Sequence, residues 1–128
     1  SPRGVYHIHP GILVFPMTTR NIRHCCKGTI KHRVKTLLLG DDAWLRPLEL
    51  SAGALEDLTE KVLTEKDCDH LEFMIHSSEL MPGGSPYFKT AEETGRLLLV
   101  MKEYFEYVTE KGIQSQTLQD IWMNEKRE

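Results

Sequence analysis

The stretch from His70 to Pro86 constrains this chain more than any other. It begins as a short apolar run, Leu71 to Ile75, rich in β-formers and suited to a buried strand. The run passes without a break into His76-Ser77-Ser78-Glu79, and from there into a Pro/Gly-rich loop ending at Pro86. An apolar strand that delivers titratable and hydroxyl side chains to its C-terminal end is the arrangement in which open sheets and barrels place their chemistry. A His at a strand end is also commonly structural, bonded to a neighbouring backbone carbonyl. The pattern alone leaves both roles open.

Around this stretch the chain alternates short apolar runs with helical periodicity. Val5 to His9 alternates apolar and polar residues before the Pro10-Gly11 turn, and Ile12 to Phe15 forms a second short strand closed by Pro16. The segment from Arg20 to Lys27 is polar and reads as irregular. Ile30, Val34, Leu37 and Leu38 recur at helical spacing, with Gly40-Asp41-Asp42 as a C-cap and turn. Trp44 to Pro47 is expected to make a strand or strand end. A helix opened by Ser51 or Gly53 carries Leu55, Leu58, Val62 and Leu63 on one face.

After the Pro/Gly loop, Thr90-Ala-Glu-Glu93 fits a capping box. The helix it starts runs through Leu97, Leu98, Met101, Phe105 and Val108 to Gly112, a candidate left-handed cap. Ile113 to Gln116 is a further short strand candidate, and Thr117 caps a terminal helix with Leu118, Ile121 and Trp122. Strands separated by helices of about a dozen residues predict βαβ units and a parallel sheet. The expected class is α/β, in one domain spanning 1–128.

Composition removes several functions. With 128 residues, 40% hydrophobic and 27% charged content and a net charge of -3, this is an ordinary globular composition with room for one core. There is no basic excess to support nucleic-acid binding, and no apolar run long enough to span a membrane. Three cysteines, two of them the adjacent Cys25-Cys26, make no disulfide framework; reduced thiols and a cytoplasmic setting are the expectation, with envelope association as the alternative. A start at Ser1-Pro2-Arg3 with no Met points to processing, an expression scar or a fragment.

Met74-Ile75-His76 followed by Ser-Ser-Glu-Leu-Met-Pro-Gly-Gly-Ser-Pro resembles the last catalytic motif of the NodB-type polysaccharide deacetylases, in the branch found among cell-envelope and glycan-biosynthesis genes. Gly11-Ile-Leu-Val-Phe-Pro-Met-Thr18 and Trp44-Leu-Arg-Pro47 stand in the order and spacing of that branch, so the resemblance covers roughly His9 to Ile121. It implies a distorted (β/α) barrel with parallel strands, of which this chain is the C-terminal half. It also implies hydrolysis of an N-acetyl amide on an amino sugar with the help of a divalent metal, zinc. The family's early Asp-Asp and His-x-x-x-His metal motifs have no matching form here. The metal ligands and the catalytic base are therefore expected outside this sequence. The chain alone is expected to bind no metal and to be inactive, and to need another chain or its missing N-terminal half.

The resemblance gives His76 the role of general acid, protonating the leaving amine nitrogen. Imidazole suits that role because its pKa lies near working pH. Met74 shares a strand face with His76 by alternation; it either lines the patch that receives the acetyl methyl group or is plain core. Trp44, with Asp41 or Asp42, is the candidate pair that orders the catalytic His, although the spacing departs from the family's Asp-x-x-Asp-Trp. Arg46 either binds a carboxylate or phosphate on a glycan or pairs with Glu49. Glu79 either orients His76 or accepts the loop's amides, and Gly83 and Gly84 shape that loop.

Two further functions stay in view. The same fold can serve as a catalytically inactive glycan-binding or scaffold module. Cys25, Cys26 and Cys68 with His7, His9, His24 and His70 can be read as a small redox or metal-binding domain, but no complete four-ligand zinc pattern emerges. His7 and His9, an isolated His-x-His on one strand face, read as a wet strand face in preference to a ligand pair.

Overall fold

The computed structural model describes residues 5–9, 11–22, 41–48, 50–66 and 70–125. The expected helix over Ile30 to Leu38, and Cys25, Cys26, Cys68, His24 and Glu49, lie outside them. Two small antiparallel sheets come first. Strands β1 (Tyr6–His9) and β2 (Ile12–Val14) pair as a hairpin whose register slips between His7 and His9. Strands β3 (Thr19–Ile22) and β4 (Asp41–Trp44) pair without a slip, from Thr19 opposite Trp44 to Ile22 opposite Asp41. Helices α1 (Ala52–Leu63), α2 (Ala91–Glu110) and α3 (Leu118–Glu125) follow, with a single 3-10 turn at Ser77–Leu80.

Several expectations change. Asp41 and Asp42 form strand β4 where local composition predicts a turn, because cross-strand pairing with β3 outweighs their turn preference. Thr19–Ile22 is a strand although it is polar. Arg20 there is 9% exposed and is neutralised by Glu65 just past α1, its Nε donating to Oε2 at 2.8 Å. The ladders among the described residues are antiparallel, whereas the alternation of apolar runs and helices predicts parallel pairing.

Leu71 to Ile75 belongs to none of these ladders, and neither does Ile113 to Gln116. The first segment is nevertheless anchored. The Met74 amide donates to the Leu45 carbonyl at 3.1 Å, and the Glu72 amide donates to the Thr18 hydroxyl at 2.8 Å. The Leu45 amide in turn donates to the Thr18 carbonyl at 2.9 Å.

The helices form for the reasons the sequence supplies. Ser51 caps α1, and Thr90 and Glu93 close a reciprocal capping box on α2. Thr117 and Asp120 exchange bonds at the start of α3. Helix α2 ends where Gly112 turns left-handed at φ 75° and the Ile113 amide reaches back to the Val108 carbonyl.

The core is Leu45, Leu50, Ala54, Leu55, Leu58 and Tyr104, with Leu71, Phe73, Val100 and Val108 packed against it. Leu63, expected on the buried face of α1, is instead half exposed, and Thr59 is buried in its stead. Its hydroxyl meets the Tyr104 phenol at 2.8 Å. Burial, only partly offset by that bond, raises the Tyr104 pKa. Phe73 stacks on Tyr104 at 5.6 Å between ring centroids and meets Phe105 edge-on at 4.9 Å.

Tyr104→Phe leaves the buried Thr59 hydroxyl without its partner and is expected to cost about 1–2 kcal/mol of stability. Leu55→Ala opens a cavity in the same core and is expected to cost about 2–5 kcal/mol. Chemical denaturation midpoints of the two variants test that ordering.

Candidate functional site

The site assembles where two extended segments leave the core together. Leu45 is buried in the core cluster, so the next residue, Arg46, emerges on the opposite side of the chain. Likewise Leu71 and Phe73 pack toward the core and α2, and alternation turns Glu72, Met74 and His76 to the other face. Helix α2 therefore covers one side of the Leu71–Ile75 segment, and the polar residues collect on the side without it.

Three side chains meet there. Arg46 Nη2 lies 2.9 Å from His76 Nδ1 and also donates to Glu79 Oε1. Glu79 Oε1 is 3.4 Å from the same ring nitrogen, while Oε2 accepts the His76 amide at 3.1 Å. The Glu79 amide donates to the His76 carbonyl at 2.9 Å, so residues 76–79 close on themselves at the start of the 3-10 turn. Glu79 thus accepts a backbone amide of the loop and stands within 3.4 Å of the His76 ring nitrogen. Arg46 is drawn to Glu79; the alternative partner, Glu49, lies outside the described residues.

Burial separates the three. Glu79 is 3% exposed and Arg46 15%, whereas the His76 side chain is 60% exposed. Burial alone would push the Glu79 carboxyl up; the bonds from the His76 amide and the Arg46 guanidinium outweigh it and hold the carboxyl below its ordinary range. A largely buried ion pair thus meets the Nδ1 edge of an imidazole that is otherwise mostly exposed.

The remaining candidates sit around this trio. Met74 is half-buried on the same face, its amide tied to Leu45. Trp44, at the end of β4, is 46% exposed, and the partners that meet His76 in the structure are Arg46 and Glu79. Gly83 adopts φ 74°, and a Cβ on Gly84 would run into the Ser78 carbonyl oxygen, so the loop needs glycine at both places for different reasons. Among the described residues no three His, Cys, Asp or Glu side chains stand together as a metal site. His7 and His9 lie on exposed positions of β1, and the His70 ring meets the Pro16 carbonyl oxygen at 3.0 Å.

Two features escaped the sequence. One is Glu72, which shares a face with Met74 and His76 at period two and holds a buried oxygen with no hydrogen-bond partner among the described residues. The other is a groove of about 460 Å³ between Pro47 and Leu50, the loop end at Tyr87 and Phe88, and Arg96 and Leu97 of α2. Pro47 follows Arg46 in the chain, but the groove lies against α2 and none of the trio lines it. Tyr87 offers it a ring that is 53% exposed.

No protein-family model, curated protein or solved structure matches this chain. No helix among the described residues is long and apolar enough to cross a membrane.

The lowered Glu79 pKa has a consequence for acid stability. A carboxyl held below its unfolded value stabilises the fold above the ordinary carboxylate range and loses that contribution as pH falls through its folded pKa. Thermal melts from about pH 6 down to about pH 3 are expected to fall less steeply for Glu79→Gln than for the native protein.

Proposed function

We propose that this chain is part of a carbohydrate N-deacetylase-like hydrolase, in which His76 is the proton donor and the adjoining face receives the sugar. The observation that carries this reading is the trio itself: a solvent-facing imidazole fixed from behind by a buried ion pair, at the end of an extended segment whose other face is packed on a helix. That is what a general acid requires, since a ring must be aimed before it can transfer a proton along a defined line. When the amide of an N-acetylated sugar is hydrolysed, the C–N bond breaks and the departing nitrogen needs a proton. The exposed Nε2 edge of His76 is where this chain can supply it.

The groove against α2, whose lining includes no member of the trio, supports a saccharide as the ligand class. Tyr87 gives an exposed aromatic face of the kind on which the apolar side of a pyranose packs, and Arg96 provides a donor at its rim. Met74, half-buried on the His76 face, is the residue to which this reading gives the acetyl methyl group. The reaction class as inferred from the motif resemblance calls for a divalent metal, zinc. The described residues do not form its site, so this reading assigns the metal and the catalytic base to residues outside them, in a completing chain segment or partner. The same reading places the Leu71–Ile75 segment as one strand of a (β/α) barrel, with α2 on its outer face.

A second reading, a glycan-binding module without turnover, rests on the groove alone and uses Tyr87 and Arg96 with no part for His76.

The test is acetate release from an N-acetylated chito-oligosaccharide by the full-length protein. His76→Ala is expected to lower kcat by about 10²-fold or more. Tyr87→Ala is expected to act mainly on KM. Saccharide binding with no acetate release, unchanged in His76→Ala, would sink the hydrolase reading in favour of the binding module. The 128-residue chain on its own is expected to release none.

A further inference from the structure

Arg46 and Glu79 both reach the same nitrogen of His76, and they cannot both bond it in the same protonation state. A guanidinium only donates, so the 2.9 Å contact from Arg46 Nη2 requires Nδ1 to present its lone pair. A carboxylate only accepts, so the 3.4 Å contact from Glu79 Oε1 becomes a bond only when Nδ1 carries a hydrogen. The shorter contact belongs to Arg46. Its two Nη2 hydrogens have two acceptors, Glu79 Oε1 and Nδ1, and both are used.

We propose that Arg46 and Glu79 are positioning residues that decide which nitrogen of His76 bears its proton: Arg46 holds the Nδ1 lone pair, so that the neutral ring carries its hydrogen on Nε2. Glu79 stands in reserve and takes the Nδ1–H when the ring gains a second proton. Among the described residues the charged groups that face the ring are these two, Arg46 from the segment after β4 and Glu79 from the 3-10 turn. The arrangement inverts the common carboxylate–imidazole pair, in which the carboxylate accepts from Nδ1 and leaves Nε2 as a base. Here the exposed edge is a donor in both protonation states. The value of that for catalysis rests on the deacetylase reading; the proton's position does not.

Long-range ¹H–¹⁵N correlation NMR of the full-length protein, labelled at histidine, reads the tautomer directly, with the His76 signals assigned by their loss in His76→Asn. Above the pH at which the ring titrates, the native protein is expected to show Nδ1 as the unprotonated nitrogen and Nε2 as the protonated one. Arg46→Ala frees the buried Glu79 carboxylate to accept, and the proton is expected to move to Nδ1. Arg46→Lys restores a donor and is expected to keep it on Nε2, as is Glu79→Gln. A proton on Nδ1 in the native protein overturns the proposal without recourse to any variant. So does an Arg46→Ala protein whose proton stays on Nε2. No turnover enters these measurements, so failure of the hydrolase reading and failure of this one are told apart.

Discussion

Everything at the site depends on a backbone junction at Thr18, Leu45 and Met74. The Leu45 amide and carbonyl are both taken, the first by the Thr18 carbonyl and the second by the Met74 amide, while the Thr18 hydroxyl takes the Glu72 amide. Thr18 and Leu45 are buried, so each of these bonds is sheltered from water, and breaking one would strand a polar group in the core. The junction also sets phase. With Leu45 and Phe73 committed to the core, Arg46 on one segment and Met74 and His76 on the other must emerge on the opposite face. A slip of one residue in the Leu45 segment would send Arg46 into the apolar cluster, and a slip in either segment would take Glu79 away from its counter-charge.

The trio shows how a small domain can bury a carboxylate. Desolvation opposes the charged form of Glu79, and an isolated carboxylate at 3% exposure would be neutralised by taking up a proton. Three donors prevent it: the His76 amide on one oxygen, the Arg46 guanidinium on the other, and the ring of His76 when it is charged. Two of these come from the residue whose position Glu79 fixes. The 3-10 turn is therefore more than a link between strand and loop. It wraps the carboxylate with the backbone that the carboxylate orders, and Gly84, lying against the Ser78 carbonyl, lets the loop fold back over it.

How much of this the sequence shows depends on how local the cause is. Caps at Ser51, Thr90 and Thr117 and the left-handed turn at Gly112 are legible because each is fixed within a few residues. The apolar run at Leu71–Ile75 announces an extended segment against the core, but not that it is only half-buried and makes isolated bonds outside any described ladder. Strand β3 is hidden for a different reason: Arg20 looks like a surface residue until Glu65, remote in the chain, is seen to neutralise it. Asp41 and Asp42 mislead by turn preference, which pairing with β3 overrides. At the candidate site, His76, Glu79 and Arg46 stand out in the sequence as separate candidates; that Arg46 points at both of the others is a fact of tertiary packing. Glu72 shares the period-two face of Met74 and His76, but its burial without a partner among the described residues is a fact of packing, and Tyr87 is brought forward by the groove alone.

The two faces of the Leu71–Ile75 segment are held by different forces. On the helix side, Phe73 is locked between Tyr104 and Phe105 by ring contacts that care about shape and apolarity. On the other side, neighbouring residues are held by hydrogen bonds whose worth depends on charge and proton position. Since backbone spacing ties the two faces together, packing on α2 fixes where His76 stands while contributing nothing to its protonation. The ion pair governs the proton and adds little apolar burial. A substitution on one face should therefore leave the other face's property largely intact, which is the condition under which a site of this kind can change its chemistry without losing its fold.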